Sequence, residues 1–357
     1  MNQFEFFLKN QKILVVGGAG FVGSNLCHKL INYDIKFLTI VDNLISSNVD
    51  NLPIDKRVNF IKGSISNDKV LKKIGSKFDY VFHLATYHGN QSSIYNPIQD
   101  HENNLLTTLK LCELFKEQKE LKSFIYSSAG CVVSEKENKY VKATKENDKV
   151  SLFHDSPYQI SKIVGEFYGN YYWMRHKLPF VKARFQNVYG PREILGAGRW
   201  RGTPETIWRN VIPTFIWKAI NNQPLLVENN GESTRDFIFI DDIVEGLMKC
   251  AKFGKKGETY NLASGIQTKI GDLARLINKI TKNKCSSSLI LRGKRDWDRS
   301  LKRFGSINKS RDQLKFKINN KLEVGLKKTV QWTIDNKSMI KKNIKKHKKF
   351  YKLSYEF

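Results

Sequence analysis

The sequence predicts an α/β protein, a doubly wound parallel sheet followed by a smaller C-terminal mixed α/β cap. Three observations carry this. Short apolar runs with little polar alternation recur between helix-like stretches, as strands covered on both faces require. A glycine-rich turn joins the first run directly to the first helix. A polar segment containing glycine, proline and tryptophan breaks the pattern from Pro191 to about Pro213, and the stretch from about Ile266 to Phe316 is mixed, as a smaller cap would be.

Taken in order, the elements are "KILVVGG" as the first strand, "AGFVGSNLCHKLIN" as turn and helix, and "KFLTIVDN" as the second strand. The runs "VNFIKGSIS", "FDYVFHLA" and "KSFIYSSA" follow, with "NNLLTTLKLCELFKEQKE" reading as a helix before the last of them. "SPYQISKIVGEFYGNYYWMRHK" reads as a long helix entered through Ser156 and Pro157, because serine suits the cap and proline the first turn. "FVKARFQNVYG", "TRDFIFIDDI" and "ETYNLASG" continue the strand pattern.

At 357 residues, 40% hydrophobic and 12% aromatic, the chain can bury one large or two modest cores. No apolar run approaches the roughly 18 residues that span a bilayer. The N-terminus has neither a basic n-region nor a small-residue cleavage site, so a cytoplasmic enzyme is expected. Cys27, Cys112, Cys131, Cys250 and Cys285 form no CxxC and no metal spacing with histidine; reduced thiols and no metal site follow. The net charge of +27 comes from 61 Lys and Arg against 34 Asp and Glu, and its lysine-rich excess is spread along the chain rather than set in a nucleic-acid motif. Its densest part, "KSMIKKNIKKHKKFYKLSYEF" from Lys337 to Phe357, reads as a solvated basic helix or end, with an anionic surface as the alternative partner.

Gly17, Gly20 and Gly23 in "VVGGAGFVGSNL" lie between the first strand and first helix, and Gly18, Gly20 and Gly23 satisfy G-x-G-x-x-G. Glycines there allow a tight turn and let backbone N–H groups reach a pyrophosphate at the positive end of the helix. Asp42 closes the second strand, where its carboxylate would accept hydrogen bonds from ribose hydroxyls and repel a 2′-phosphate. A Rossmann-type domain that takes NAD rather than NADP is therefore expected. Tyr158 and Lys162 stand four apart on one helical face, and of the 14 tyrosines only Tyr158 has a lysine four residues later. A nearby ammonium can draw a phenol from a pKa near 10 toward neutrality; about three units correspond to roughly 4 kcal/mol.

The motifs "GGAGFVGSNL", "VDN", "HLAT", "YQISK", "RFQNVYGPR", "TRDFIFIDDI" and "YNLASG", in this order, resemble the extended short-chain dehydrogenase/reductase family of NAD-dependent nucleotide-sugar epimerases and dehydratases. Two positions depart from its pattern: Val16 stands for a usual Thr before the glycines, and Ser64 for a frequent Asp toward adenine. The resemblance implies an NAD-binding domain over residues 1–186, completed by about 237–262. It implies a substrate-binding cap over 187–236 and 263–330, a basic tail over 331–357, and a homodimer. Gly17, Gly20, Phe21, Val22, Gly23, Asp42, Asn43, Ile65, Leu84 and Ala85 would bind NAD together with Tyr158 and Lys162. Asn187, Arg199, Arg201, Val211, Arg235, Arg295 and Asp298 would hold a nucleoside-diphosphate sugar, which suits the bidentate grip of arginine on phosphate. The implied reaction is C4 inversion through a transient 4-keto sugar, with Tyr158 taking the hydroxyl proton. His83 reads as a structural strand-end residue, and Tyr87 and His88 as neighbours of the cofactor phosphates.

One expected group is missing. In the family's pattern a catalytic Ser or Thr falls at Ala129, and the Asp-Glu pair of 4,6-dehydratases falls on Gly130 and Cys131. Alanine cannot share a proton with a sugar hydroxyl. Ser128, one residue earlier, is the nearest substitute. Cys131 resembles the acid/base cysteine of GDP-mannose 3,5-epimerases, although the loop "REILGAGRWRGTPETIWRN" lacks the lysine partner found there and offers Arg199, Arg201 and Arg209. C3 or C5 epimerisation or dehydration through Cys131 stays open, as does a binding protein that has lost catalysis.

Overall fold

The computed structural model describes residues 4–132, 142–150, 152–193, 210–293 and 302–346. Its centre is a seven-stranded parallel sheet. The strands are β1 (Lys12–Val16), β2 (Phe37–Asp42), β3 (Val58–Lys62), β4 (Tyr80–His83), β5 (Ser123–Ala129) and β6 (Phe180–Phe185). After the short strands β7 (Asn187–Tyr189), β8 (Leu225–Val227), β9 (Thr234–Arg235) and β10 (Phe237–Phe239), the strand β11 (Thr259–Leu262) supplies the seventh. The order is β11-β6-β5-β4-β1-β2-β3. The chain runs outward one way to β3 and then returns to β4 on the other side of β1. That reversal opens a crevice at the carboxyl ends of β1 and β4, where ligands of such sheets bind.

The apolar runs lack alternation because both faces are covered. Ile13, Val15, Leu38, Ile40, Phe82 and Ile125 enter one core, which the helices Phe21–Leu30 and Ile240–Phe253 close. Leu14, Val16, Val41, Val81, Phe124 and Tyr126 enter the other, against Leu111, Cys112 and Phe115 of the helix Thr107–Phe115 and Tyr172 of the helix Pro157–His176. Each fully buried Leu, Ile or Phe contributes about 1.5–3 kcal/mol.

The helix Pro157–His176 carries Tyr158 and Lys162. Ser156 has the extended backbone of an N-cap, Pro157 fills the first turn, and Lys177 ends the helix in the left-handed conformation. Gly165 and Gly169 fix its depth. A Cβ on Gly165 would lie 2.3 Å from the Tyr126 hydroxyl, and one on Gly169 would lie 2.2 Å from the Phe180 ring. The helix therefore sits hard against β5 and β6.

The short strands pair apart from the main sheet: β7 with β10, β9 with β12 (Thr268–Lys269), and β8 with β13 (Leu289–Leu291). After the helix Leu322–Asp335, the basic segment forms the helix Lys337–Lys346, whose Ile340 and Ile344 pack on Trp217. Among the described residues no helix is long and apolar enough to cross a membrane.

Candidate active site

The glycine turn leaves β1 and settles onto the end of β4. Gly17 has φ +83°, and a Cβ there would meet the Ala85 amide nitrogen at 2.5 Å. A Cβ on Gly23 would lie 2.1 Å from the Gly17 carbonyl oxygen, so turn and helix can close only without side chains. Gly20 holds the N-cap and brings no side chain to the first turn, which leaves the amides of Phe21, Val22 and Gly23 for an anion.

Asp42, at the end of β2, is buried and organises both neighbouring loops. It accepts hydrogen bonds from the Ala19 amide at 3.0 Å, the Leu44 amide at 2.8 Å and the Ser47 hydroxyl at 2.8 Å. A carboxylate has about four acceptor sites, so it can still take a ribose hydroxyl. Asn43 accepts from the Ile45 amide and donates to Asn103 at 3.3 Å. Leu84 and Ile65 are buried, Ile65 in the core beside Val16 and Val41, while Ala85 is half-buried against the turn. Glycine turn, helix end and acidic strand end all fit a dinucleotide.

Tyr158, Ala129, Val132 and Ile163 form one buried cluster, with Cys131 packed against it. Lys162 is 2% exposed; its Nζ donates to the Ser127 carbonyl at 2.8 Å and lies 5.9 Å from the Tyr158 ring centroid. Burial lowers its ammonium to about 8, opposed by the negative charges of Asp100 and Glu166. At neutral pH it is mostly charged beside the phenol. The His88 ring stands edge-on to that of Tyr158, with centroids 5.7 Å apart.

The Ser128 hydroxyl donates to Glu166 Oε1 at 2.5 Å. Glu166 also receives Arg184 Nε at 2.7 Å and Nη2 at 2.6 Å, and both charged side chains are almost wholly buried. Ser128 is thus tied into a structural ion pair. Burial raises the Cys131 thiol, with Arg303 pulling it down and Asp155 pushing it up. His83 is buried, held neutral at about 3 by burial and by Lys162, and bonded to Thr108 at 3.0 Å. It is structural.

The substrate-side residues divide. Asn187 bonds through its backbone and side chain to the Asp236 carbonyl, Arg235 Nη1 donates to the Thr234 carbonyl, and Val211 opens the helix Val211–Ile220. Arg199, Arg201, Arg295 and Asp298 lie outside the described residues. Asp236, beside Arg235, gathers the Ser264 amide and hydroxyl and the Gly265 and Gly305 amides, joining the segment between β9 and β10 to two later stretches of the chain.

Several residues escape sequence reasoning. Asn104 binds the Tyr87 amide at 2.7 Å and donates to Asp100 at 2.6 Å; Asp100 in turn receives Ser161, the neighbour of Lys162. Burial raises the Asp100 carboxyl, against the bonds from Ser161 and Asn104. Glu166 had one available signal, since it continues the Tyr158, Lys162 face at the same four-residue spacing.

Residues 13–263 match the model of the NAD dependent epimerase/dehydratase family. The Bordetella bronchiseptica enzyme WbmF, solved with NAD+ and UDP, is 50% identical, with 97% of this chain and 98% of that one covered and a TM-score of 0.84. A putative UDP-glucose 4-epimerase of Methanocaldococcus jannaschii is 30% identical over 91% of this chain and 99% of its own length. The dTDP-D-glucose 4,6-dehydratase of Dictyostelium discoideum is 33% identical over 78% of this chain, which spans 64% of that protein.

Proposed function

The chain belongs to the NAD-dependent epimerase/dehydratase family, as an NAD-dependent nucleotide-sugar epimerase, and from that premise we propose that it inverts C4 of a UDP-sugar. The observation that carries this reading is Tyr158 in one buried cluster with the end of β5, with the Lys162 ammonium beside its ring. NAD, when bound, supplies the hydride acceptor and donor for C4. Gly17, Gly20, Phe21, Val22, Gly23, Asp42, Asn43, Ile65, Leu84 and Ala85 would hold it. Tyr158 takes the proton of the C4 hydroxyl and returns it. Lys162 stabilises the phenolate, and its bond to the Ser127 carbonyl fixes where that charge sits. Asn187, Val211 and Arg235, with Arg199, Arg201, Arg295 and Asp298, would hold the nucleotide diphosphate and sugar. The UDP in the Bordetella structure and the name of the Methanocaldococcus relative favour uridine.

The test is turnover of a panel of UDP-sugars in D2O. C4 inversion without deuterium incorporation is expected. Deuterium at C3 or C5 that disappears in Cys131→Ala would replace this reading with carbon-acid chemistry at the thiol. The raised Cys131 thiol weighs against that second reading, since a thiol held protonated is a poor base.

The enzyme would act as a cytoplasmic homodimer. The helix Pro157–His176 exposes Ile160, Phe167, Tyr171 and Met174, which with half-buried Val164 repeat at spacings of four and three. That is an apolar seam on the face opposite Lys162 and Glu166, and a second copy would cover it. Phe167→Asp is expected to halve the mass measured by light scattering; an unchanged mass would move the interface elsewhere. The helix Lys337–Lys346 spends its isoleucines on Trp217 and exposes Lys341, Lys342 and Lys345, which supports an electrostatic touch to an anionic surface.

A further inference from the structure

We propose that Asp100 is a positioning residue for the C4 chemistry: its buried carboxylate keeps the Lys162 ammonium charged beside Tyr158, acting through space rather than through a bond. The inference rests on the C4 reading above. Asp100 closes the short helix Pro97–Asp100 and is 1% exposed. Its Oδ1 accepts from Asn104 Nδ2 at 2.6 Å, and its Oδ2 accepts from the Ser161 hydroxyl. The Asn104 amide cannot be turned the other way, because its own Oδ1 accepts from the Tyr87 amide and the Thr86 hydroxyl. Both oxygens of Asp100 are acceptors, which suits the ionised form.

Two features mark Asp100 as more than a pin between the π-helical turn and the helix Pro157–His176. A pin needs no charge. Asparagine would make the same two contacts without burying an anion, and an anion is the harder group to take out of water. The second feature is the company of Lys162. That ammonium is also buried, and its one hydrogen bond goes to a neutral oxygen, the Ser127 carbonyl. Among the described residues neither Lys162 nor Asp100 forms an ion pair.

The other groups facing the ammonium supply no open negative charge. Glu166, on the same helix, is held by Arg184. His83, from β4, is neutral, and the Cys131 thiol past the end of β5 is raised by burial. Tyr126, from β5, and Tyr158 present their rings at 5.1 and 5.9 Å. On the side of Asp100 the other cation is the exposed His101. Two opposite charges in one low-dielectric region stabilise each other without touching, and Asp100 is the charge that most offsets the burial of Lys162. Asp100 itself exchanges no proton. The C4 hydroxyl proton still passes to the Tyr158 oxygen, and Asp100 sets the pH up to which Lys162 is charged to support it.

The test uses the full-length, NAD-loaded enzyme and the UDP-sugar that the wild type inverts. Asp100→Asn keeps the shape and both contacts and removes the charge, so Lys162 should lose its proton at lower pH. Its kcat is expected to match the wild type near about pH 6 and to lie about tenfold below it near about pH 9, as the alkaline limb moves down by about one unit. A loss of the same size at every pH, or a limb left in the wild-type position, would overturn the role of the charge. Ser161→Ala breaks the pin and keeps the anion, so its limb should stay in place; a shift equal to that of Asp100→Asn would assign the effect to the pin. A second readout needs no turnover. With isotopically labelled lysine, the Cε resonance that Lys162→Arg abolishes should titrate about one unit lower in Asp100→Asn, and an unmoved midpoint would overturn the proposal. Failure of the C4 reading looks different: the wild type would then invert nothing at C4, while the Lys162 resonance would still shift.

Discussion

Tyr158→Phe is expected to reduce turnover by about 10²- to 10⁴-fold, the range of a positioned acid/base group, while NAD and the nucleotide-sugar still bind. The substitution removes one oxygen and leaves the ring, so the cluster with Ala129, Val132 and Ile163 and the contact with His88 remain. The lost function is specific: the phenol is the group beside the buried Lys162 ammonium, which at neutral pH still carries most of its charge. Because that ammonium falls toward neutral as pH rises through about 8, its support of the phenolate weakens above that pH. Steady-state kinetics with calorimetry on the same preparation checks the claim. Wild-type kcat in the phenylalanine variant would assign proton transfer to another group.

Glu166→Ala is expected to be the most destabilising single change near the site. It leaves the Arg184 guanidinium buried without its carboxylate and takes away the acceptor of the Ser128 hydroxyl. Breaking one side of a buried pair costs about 3–5 kcal/mol, or roughly 4–7 °C in Tm for a chain of this size. Replacing both partners, as Glu166→Leu with Arg184→Met, should cost less, because no charge is then stranded. Thermal unfolding of the single and double variants decides the matter. If the double variant unfolds first, the pair stabilises the fold beyond the cost of its own desolvation.

The sheet was legible in the residues because its strands are buried on both faces. "KILVV" and "FIYSS" carry no alternation to disguise them, and the glycine turn has a steric reason at Gly17 and Gly23. Tyr158 and Lys162 were legible because a four-residue spacing on one helix is a local signal. The polar framework was not. Ser161 meets Asp100 across 61 positions and Asn210 meets Glu193 across a segment of no regular pattern, so no local periodicity encodes either contact. The stretch read as one helix from Asn103 also opens differently. Residues His101–Leu106 form a π-helical turn, and Asn104 within it reaches the Tyr87 backbone. Such turns follow from the demands of a site rather than from residue propensity. Ser128 was expected as a stand-in hydroxyl because it neighbours Ala129; the structure instead gives that hydroxyl to Glu166.

The helix Lys337–Lys346 has a reach that its lysines do not suggest. Asn343, 3% exposed, accepts a hydrogen bond at 2.9 Å from Asn48, whose neighbour Ser47 is tied to Asp42. The loop beside the acidic strand end is therefore clamped by the helix Lys337–Lys346. Coupling of this kind is reciprocal: whatever orders one partner orders the other by the same free energy. Occupation of the crevice by NAD should slow hydrogen exchange in the helix Lys337–Lys346, and a chain ending before Asn343 should hold NAD more weakly. Exchange in that helix indifferent to NAD would make the contact a mere neighbour.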